Sequence, residues 1–229
     1  VLDKAEIWLK KSLQYQFIDV RLFAQALTHR SVPGDNNERL EFLGDAVLDF
    51  VISEVVFRVY PLAPEGDLSR LRSSLVKDTS LAELASNLGL GEHLILGGGE
   101  RKTGGHRRES ILADALEAIF GAVFIDSGFD AARAVIECAF SDRLHDFPPL
   151  EELRDSKTKL QELLQARRMG LPDYELVKVT GQAHNQQFEV SCSVTGVAAI
   201  TTGDGTTRRG AEQHSAEKML HELLGSDAL

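Results

Sequence analysis

Cysteine is almost absent from this 229-residue chain: only Cys138 and Cys192 occur, far apart and each in an apolar context. That argues against a disulfide-stapled scaffold, and two separated thiols fit a reducing cytoplasm, the expected location. Long hydrophobic runs are missing too. No stretch approaches the roughly 20 apolar residues that a membrane crossing needs, so no membrane association is expected. The opening Val1-Leu2-Asp3-Lys4 lacks the charged, apolar, then small-residue layout of a secretory signal. It also lacks an initiator Met, which suggests a trimmed chain and leaves a removed leader open. No internal repeat or low-complexity tract is visible.

What is present is ordinary globular material, 43% hydrophobic and 26% charged, long enough for one large domain or two smaller ones. The formal net charge of −10 looks wrong for a nucleic-acid binder, so its distribution matters more than its sum. Residues 156–229 hold eight Lys/Arg against nine Asp/Glu, whereas residues 1–155 hold 17 against 26. The acid excess therefore lies in the first two-thirds. A carboxylate-rich metal site would produce it, and so would a merely acidic surface.

The first two-thirds reads as consecutive helices: Ala5–Tyr15, Val20–Thr28, Glu38–Val59, Gly66–Lys77, Thr79–Leu88, Ser110–Asp126 and Asp130–His145. Pro33-Gly34-Asp35-Asn36-Asn37 offers a turn and an Asn cap, Pro61 ends the long helix, and Gly89 ends a later one. Residues 97–108 read as a Gly-rich basic loop. The pattern changes at Phe147-Pro148-Pro149. A linker is expected over 148–155, between an all-α domain at 1–147 and a smaller α+β domain at 156–229. The latter reads as a helix near Lys157–Ala166, strands at Tyr174–Thr180, Gln187–Val194 and Ala198–Thr202, and a helix near Arg208–Leu224. The fold class is thus multidomain, all-α followed by α-β-β-β-α.

Glu38, Glu41 and Asp45 are spaced i, i+3, i+7 and share one helical stripe. Their helix continues Ala46-Val47-Leu48-Asp49-Phe50-Val51-Ile52, apolar nearly all round, which marks a buried helix. A second such helix, Ile111–Phe120, is apolar except for Asp114 and Glu117, again at i, i+3. Carboxylates on buried helices are costly unless positive charge meets them. Arg39, Arg107 and Arg108 are available to pair with them, and a solvated acidic stripe is the other plain reading. Two helices with the same peculiarity instead favour bound dications. Oxygen-only ligation without Cys or His points to Mg²⁺, with Mn²⁺ as a substitute, rather than zinc. Two such ions about 4 Å apart would clamp the attacking and leaving oxygens of a phosphodiester displacement.

The stretch Asn36-Asn37-Glu38-Arg39-Leu40-Glu41-Phe42-Leu43-Gly44-Asp45-Ala46 resembles the signature of the bacterial ribonuclease III family. The resemblance extends through Ala26–Ser31, Glu65–Ser69 and Arg108–Asp114, in the family's order and over essentially the whole chain. It implies a double-strand-specific endoribonuclease in which Glu41, Asp45, Asp114 and Glu117 hold metal and Glu38 assists through water or RNA. It further implies a homodimer whose two sites cut opposite strands of RNA precursors such as those of rRNA and mRNA. The ends would be 5′-phosphates and 3′-hydroxyls with short 3′ overhangs. Phe42 would enter a pocket on the partner subunit, although simple core is its plainer reading. Glu65 matches a family acid, and it also reads as a helix N-terminal carboxylate facing the dipole. His29 reads as a hydrogen-bonded structural group rather than a general base.

Residues 156–224 resemble a double-stranded-RNA-binding domain through Thr158–Glu162, Gly181–His184 and Gly203–Gln213. By that likeness Thr158, Gln161, Gln165, His184, Arg208 and Arg209 are the RNA-contact candidates. Gln161, Gln165 and His184 suit the 2′-hydroxyls of a shallow minor groove. Arg208 and Arg209, at a helix N-terminus, suit phosphates. Gly210 stands where related sequences often carry a charge, which would moderate phosphate affinity and slightly weaken helix initiation. The Gly-rich loop lacks the strand context and Gly-Lys-Thr/Ser ending of a nucleotide site, so no nucleotide cofactor is expected. Its Arg101, Lys102, Arg107 and Arg108 suit RNA phosphates or pairing with the acids. Two alternatives stand beside the nuclease: a non-catalytic double-stranded-RNA-binding protein that keeps the fold, and a metal-dependent hydrolase of small phosphate esters. The first predicts loss of an acid, and none is lost; the second leaves the C-terminal module without a task.

Overall fold

The computed structural model describes residues 2–145, 147, 155–182 and 186–225. The chain forms two compact units, Val1–Pro149 and Leu150–Leu229. Of the expected linker at 148–155, residues 148–154 lie outside the described residues, and Asp155 caps the first helix of the second unit.

The first unit is helical: α1 (Leu2–Leu13), α2 (Val20–Leu27), α3 (Glu38–Val59), α4 (Glu65–Val76), α5 (Asp78–Asn87), α6 (Gly98–Lys102), α7 (Glu109–Ala139) and α8 (Ser141–His145). Its amphipathic members bury one stripe each, as Ala5, Leu9 and Leu13 do on α1. α3 and α7 are the central pair. α7 buries Ile111, Leu112, Ala113, Ala115, Leu116, Ala118, Ile119 and Phe120, so it is wrapped on nearly every side. Where the two helices meet, neither carries a side chain. A Cβ built on Gly44 would lie 1.8 Å from the Glu117 carbonyl oxygen, and one on Gly121 would lie 2.2 Å from that of Leu40. The backbones are therefore in direct contact, an approach that only glycine permits.

Local differences from the sequence reading have physical causes. The side chain that caps α3 is that of Asn36, whose Oδ1 accepts the Glu38 N–H at 3.0 Å. Asn37 is buried instead, its N–H given to the Thr28 carbonyl at 2.9 Å. The basic loop contains two turns of structure, α6 and a 3-10 turn at Gly105–Arg107. The expected break between the helices at 110–126 and 130–145 falls at Gly128, whose φ of 82° takes it out of the helical region, and the later helix breaks once more between Ala139 and Ser141. Just before that break, the Asp126 carboxylate accepts the Tyr15 hydroxyl at 2.5 Å and the Ile18 and Asp19 N–H groups at 2.9 and 2.8 Å, tying the α1–α2 connection to α7.

The second unit runs α9 (Ser156–Ala166), β1 (Asp173–Thr180), β2 (Gln187–Ser193), β3 (Thr201–Gly205) and α10 (Arg208–Gly225). The sheet is antiparallel in the order β1-β2-β3. Leu160, Leu164, Cys192, Val194, Ala216, Met219 and Leu223 form the core between sheet and helices. Cys138 and Cys192 are free thiols, the former only half-buried. The third strand lies later than the expected Ala198–Thr202 because Gly203 and Gly205, which read as turn residues, belong to it. A Cβ on Gly203 would meet the Ser215 nitrogen at 2.2 Å, so glycine is what lets α10 lie against the strand. Among the described residues no helix is long and apolar enough to cross a membrane.

Gly44→Ala forces α3 and α7 apart and is expected to destabilise the first unit by about 3 kcal/mol, the upper range for overpacking. Trp8, the single tryptophan, donates to the Leu88 carbonyl at 2.6 Å and reports on that unit. Its fluorescence in a denaturant titration should show a clearly lower midpoint; an unchanged one would mean that the helices part at no cost.

Candidate active site

The glycine contact places acids beside it. Glu41 stands one turn before Gly44 on α3, Glu117 one turn before Gly121 on α7, and Asp114 nearly one turn before Glu117. One carboxylate oxygen from each of Glu41, Asp114 and Glu117 lies within 4.8 Å of the others, and all three residues are half-buried. Asp45 and Glu38, the other two expected members, are exposed and stand outside this trio. Glu38 is held at its edge, 3.5 Å from Arg30 and 3.3 Å from the Asn36 amide nitrogen.

The arginines that offered an ion-pair account of these acids are engaged elsewhere or not at all. Arg108 pairs with Glu100 at 2.6 Å. Among the described residues no ion pair joins Arg39, Arg107 or Arg108 to any of the five carboxylates. Arg101, Lys102 and Arg107 are exposed. The positive group that does bear on the trio is Arg30, whose charge opposes the protonation of Glu41 and Asp114. His29 is buried, and its Nδ1 meets the Ser31 hydroxyl at 2.8 Å and accepts the Ser31 N–H at 3.2 Å. The same hydroxyl takes the Gly97 N–H at 2.9 Å, which ties the basic loop to this segment. Two charged neighbours escaped sequence reasoning. Arg30 was visible only as part of a motif. Asp78, at the start of α5, carries no local signal, yet its charge acts on Asp45, Asp114 and Glu117. Glu65 lies on the first turn of α4, where it accepts the Ser69 hydroxyl at 2.7 Å.

In the second unit Thr158, Gln161 and Gln165 fall on one stripe of α9, beside the one that buries Leu160 and Leu164. Gln161 and Gln165 are exposed and Thr158 is half-buried. Arg208 and Arg209 open α10 with side chains 59% and 82% exposed, yet neither stands alone: Arg208 is 3.1 Å from Glu212 and Arg209 is 3.9 Å from Asp155. His184 lies outside the described residues. Gly210 sits in the first turn of α10, its N–H donated to the Thr207 hydroxyl at 3.0 Å.

Comparison with known proteins matches this arrangement twice. A family model described as ribonuclease-III-like matches residues 19–144, and one described as a double-stranded RNA binding motif matches residues 156–223. The chain belongs to the ribonuclease III family. A ribonuclease 3 from Dechloromonas aromatica strain RCB is 54% identical over 214 residues, 93% of this chain and 96% of that protein. One from Colwellia psychrerythraea strain 34H is 52% identical, across 93% of this chain and 80% of its own. Among solved structures, a nuclease domain of ribonuclease III from Campylobacter jejuni is 46% identical with a TM-score of 0.56, covering 58% of this chain and 97% of itself. A second structure of that domain is 43% identical with a TM-score of 0.57, covering 62% and 96%.

Within this ribonuclease III-type domain the acids repel one another. Burial pushes Glu117 up to about 8 from its ordinary 4.5, and the charges of Asp45, Glu41, Asp114 and Asp78 add to it. Burial raises Glu41 as well, followed by Asp114 and Glu38. Asp114 is raised by burial and Asp78, and Asp45 by burial and Asp49. A set of oxygens that must share protons when left to itself is a fitting seat for a hard cation. The linkage has a definite sign. Glu117 binds its proton more tightly in the folded state, so its contribution to stability is full below about 4.5 and is lost as pH rises through about 8. The metal-free protein should melt progressively lower across that window, and Glu117→Gln should flatten the decline. Equal pH slopes for the two proteins would count against the raised carboxyl.

Proposed function

We propose that the chain is a Mg²⁺-dependent endonuclease that cuts double-stranded RNA as a homodimer, with Mn²⁺ as a substitute cation. The observation that carries the reading is the convergence of Glu41, Asp114 and Glu117 from the packed pair α3 and α7 in a chain that also holds a double-stranded RNA binding motif. In this reading Glu41, Asp45, Asp114 and Glu117 hold the cation and Glu38 assists from the rim, where Arg30 orients it. A bound dication supplies Lewis acidity toward a phosphodiester and lowers the pKa of a water. The residues do the rest. The carboxylates fix the position of that charge, Arg30 limits the net negative potential that an approaching phosphate meets, and Arg101, Lys102 and Arg107 offer positive charge to the RNA backbone. Thr158, Gln161, Gln165, His184, Arg208 and Arg209 contact the duplex by groove shape and phosphates, with little base specificity. The products carry 5′-phosphates and 3′-hydroxyls, and RNA precursors are the natural substrate class. Every acid position is filled, so no observation favours a non-catalytic reading.

Long duplex RNA incubated with the protein should be cut at about 10 mM Mg²⁺, a roughly saturating level for a weakly held hard cation, and left intact with a chelator. Glu117→Gln should reduce cleavage by at least about a hundredfold, the scale on which misplaced catalytic charge acts, while duplex retention in a gel-shift assay stays the same. Binding without cleavage by the unaltered protein would overturn the enzymatic reading, and loss of both functions in the variant would make Glu117 structural.

Support for the homodimer comes from α3. Phe42 is 79% exposed, one turn from an open apolar cleft of about 330 Å³ lined by Ala46, Val47, Phe50 and Phe129. A projecting ring and a matching cleft on one face suit a two-fold association, in which each subunit fills the other's cleft. The related Campylobacter jejuni nuclease domain is described by the flexibility of a region involved in dimer formation. Phe42→Asp should move the mass measured by light scattering toward the monomer at micromolar concentration; an unshifted dimer would place the interface elsewhere.

A further inference from the structure

The duplex-binding unit has an internal counter-anion where it needs positive charge. Asp155 uses its two oxygens differently. Oδ1 accepts the Thr158 N–H at 2.8 Å and so caps α9, the helix carrying Thr158, Gln161 and Gln165. Oδ2 faces the Arg209 guanidinium of α10 at 3.9 Å. The Gln213 side chain, whose Oε1 takes the Lys157 N–H at 3.0 Å, hydrogen-bonds the same carboxylate. One residue thus bridges the start of the helix suited to the minor groove and the start of the helix suited to phosphate. Its neighbour repeats the pattern: Glu212 holds Arg208 at 3.1 Å and Lys157 at 2.6 Å. Glu212 is only 15% exposed, so it belongs to the packing. Asp155 is 40% exposed and Arg209 is 82% exposed, so their pair can open to solvent.

We propose that Asp155 is a positioning residue that holds Arg209 in a self-neutralised state, which duplex phosphate must displace. The inference rests on the reading of residues 156–223 as the RNA-binding module. A carboxylate and a phosphate compete for one guanidinium, so Asp155 lowers duplex affinity while its cap keeps α9 in place. The arrangement limits phosphate affinity by charge competition, a different device from the missing charge at Gly210. It also makes the two roles separable, because Asn and Ser cap helices about as well as Asp but carry no charge.

The test uses the full chain with Glu117→Gln as a non-cutting background, a blunt RNA duplex, and a salt series. Asp155→Asn should bind roughly two- to fivefold tighter, the range that releasing one exposed ion pair allows. Its plot of log affinity against log salt should steepen by up to about one unit, as one more phosphate is neutralised. Asp155→Ser, a second uncharged cap, should do the same, and Asp155→Ala should lose thermal stability of the unit. In an Arg209→Gln background the gain should vanish, since the two residues then have nothing to exchange. Affinity in Asp155→Asn and Asp155→Ser that is unchanged or weaker at an unchanged melting temperature overturns the proposal. So does a gain that survives Arg209→Gln. Absence of any duplex binding by the background protein would instead overturn the module's reading, and the inference with it.

Discussion

The contact between α3 and α7 at Gly44 and Gly121 is the constraint on which the site depends. Two helices carrying ordinary side chains would stand 8–10 Å apart, and carboxylates a turn from the crossing would reach past one another or into solvent. With a carbonyl oxygen of each helix occupying the space of a missing Cβ, the helices close, and the acids placed just before each glycine meet. The same closeness buries those acids. Geometry and electrostatic strain therefore have one origin: whatever brings Glu41, Asp114 and Glu117 within reach of one ion also removes water from them.

That strain is offset by design elsewhere in the unit. The apolar wrap of α7, with Leu116, Ile119 and Phe120 fully buried, supplies the burial that holds two unfavourable helices together. The Asp126 clamp fixes the connection before α2 to the far end of the same helix. The positive groups nearest the acids are too few to neutralise them. Had they been sufficient, the cluster would be an internal ion-pair network with no need of a cation. Arg108, the obvious candidate, is taken by Glu100, and that pairing shapes the basic loop while leaving the carboxylates uncompensated.

Much of this was legible in the sequence, and the rest has identifiable reasons for being hidden. Acids at i, i+3 on otherwise apolar helices are a contradiction that sequence alone displays, so Glu41, Asp114 and Glu117 stood out. Which of the five come closest was not legible, because it depends on where the helices cross. The crossing is set by glycines whose meaning appears only when each meets the other's backbone. Asp78 was invisible for a related reason: a single acid at a helix start is ordinary, and only the packing of α5 brings it to bear on the cluster. β3 was displaced in the reading because strand propensity favours Ala-Ala-Ile over Gly-Asp-Gly, whereas tertiary approach of α10 requires the glycines.

The net charge of −10 is compatible with a polyanionic substrate once charge is considered by place. Counterion release depends on the few cations that meet phosphate, not on the sum over the surface. Near the carboxylate cluster the negative potential suits a dication, whose binding would locally reverse its sign. On α10 the cations are present but already hold internal partners. The start of α10 thus keeps its two arginines paired within the unit. An exchange of partners, rather than simple attraction between opposite bulk charges, is the basis we propose for an acidic protein meeting an acidic duplex.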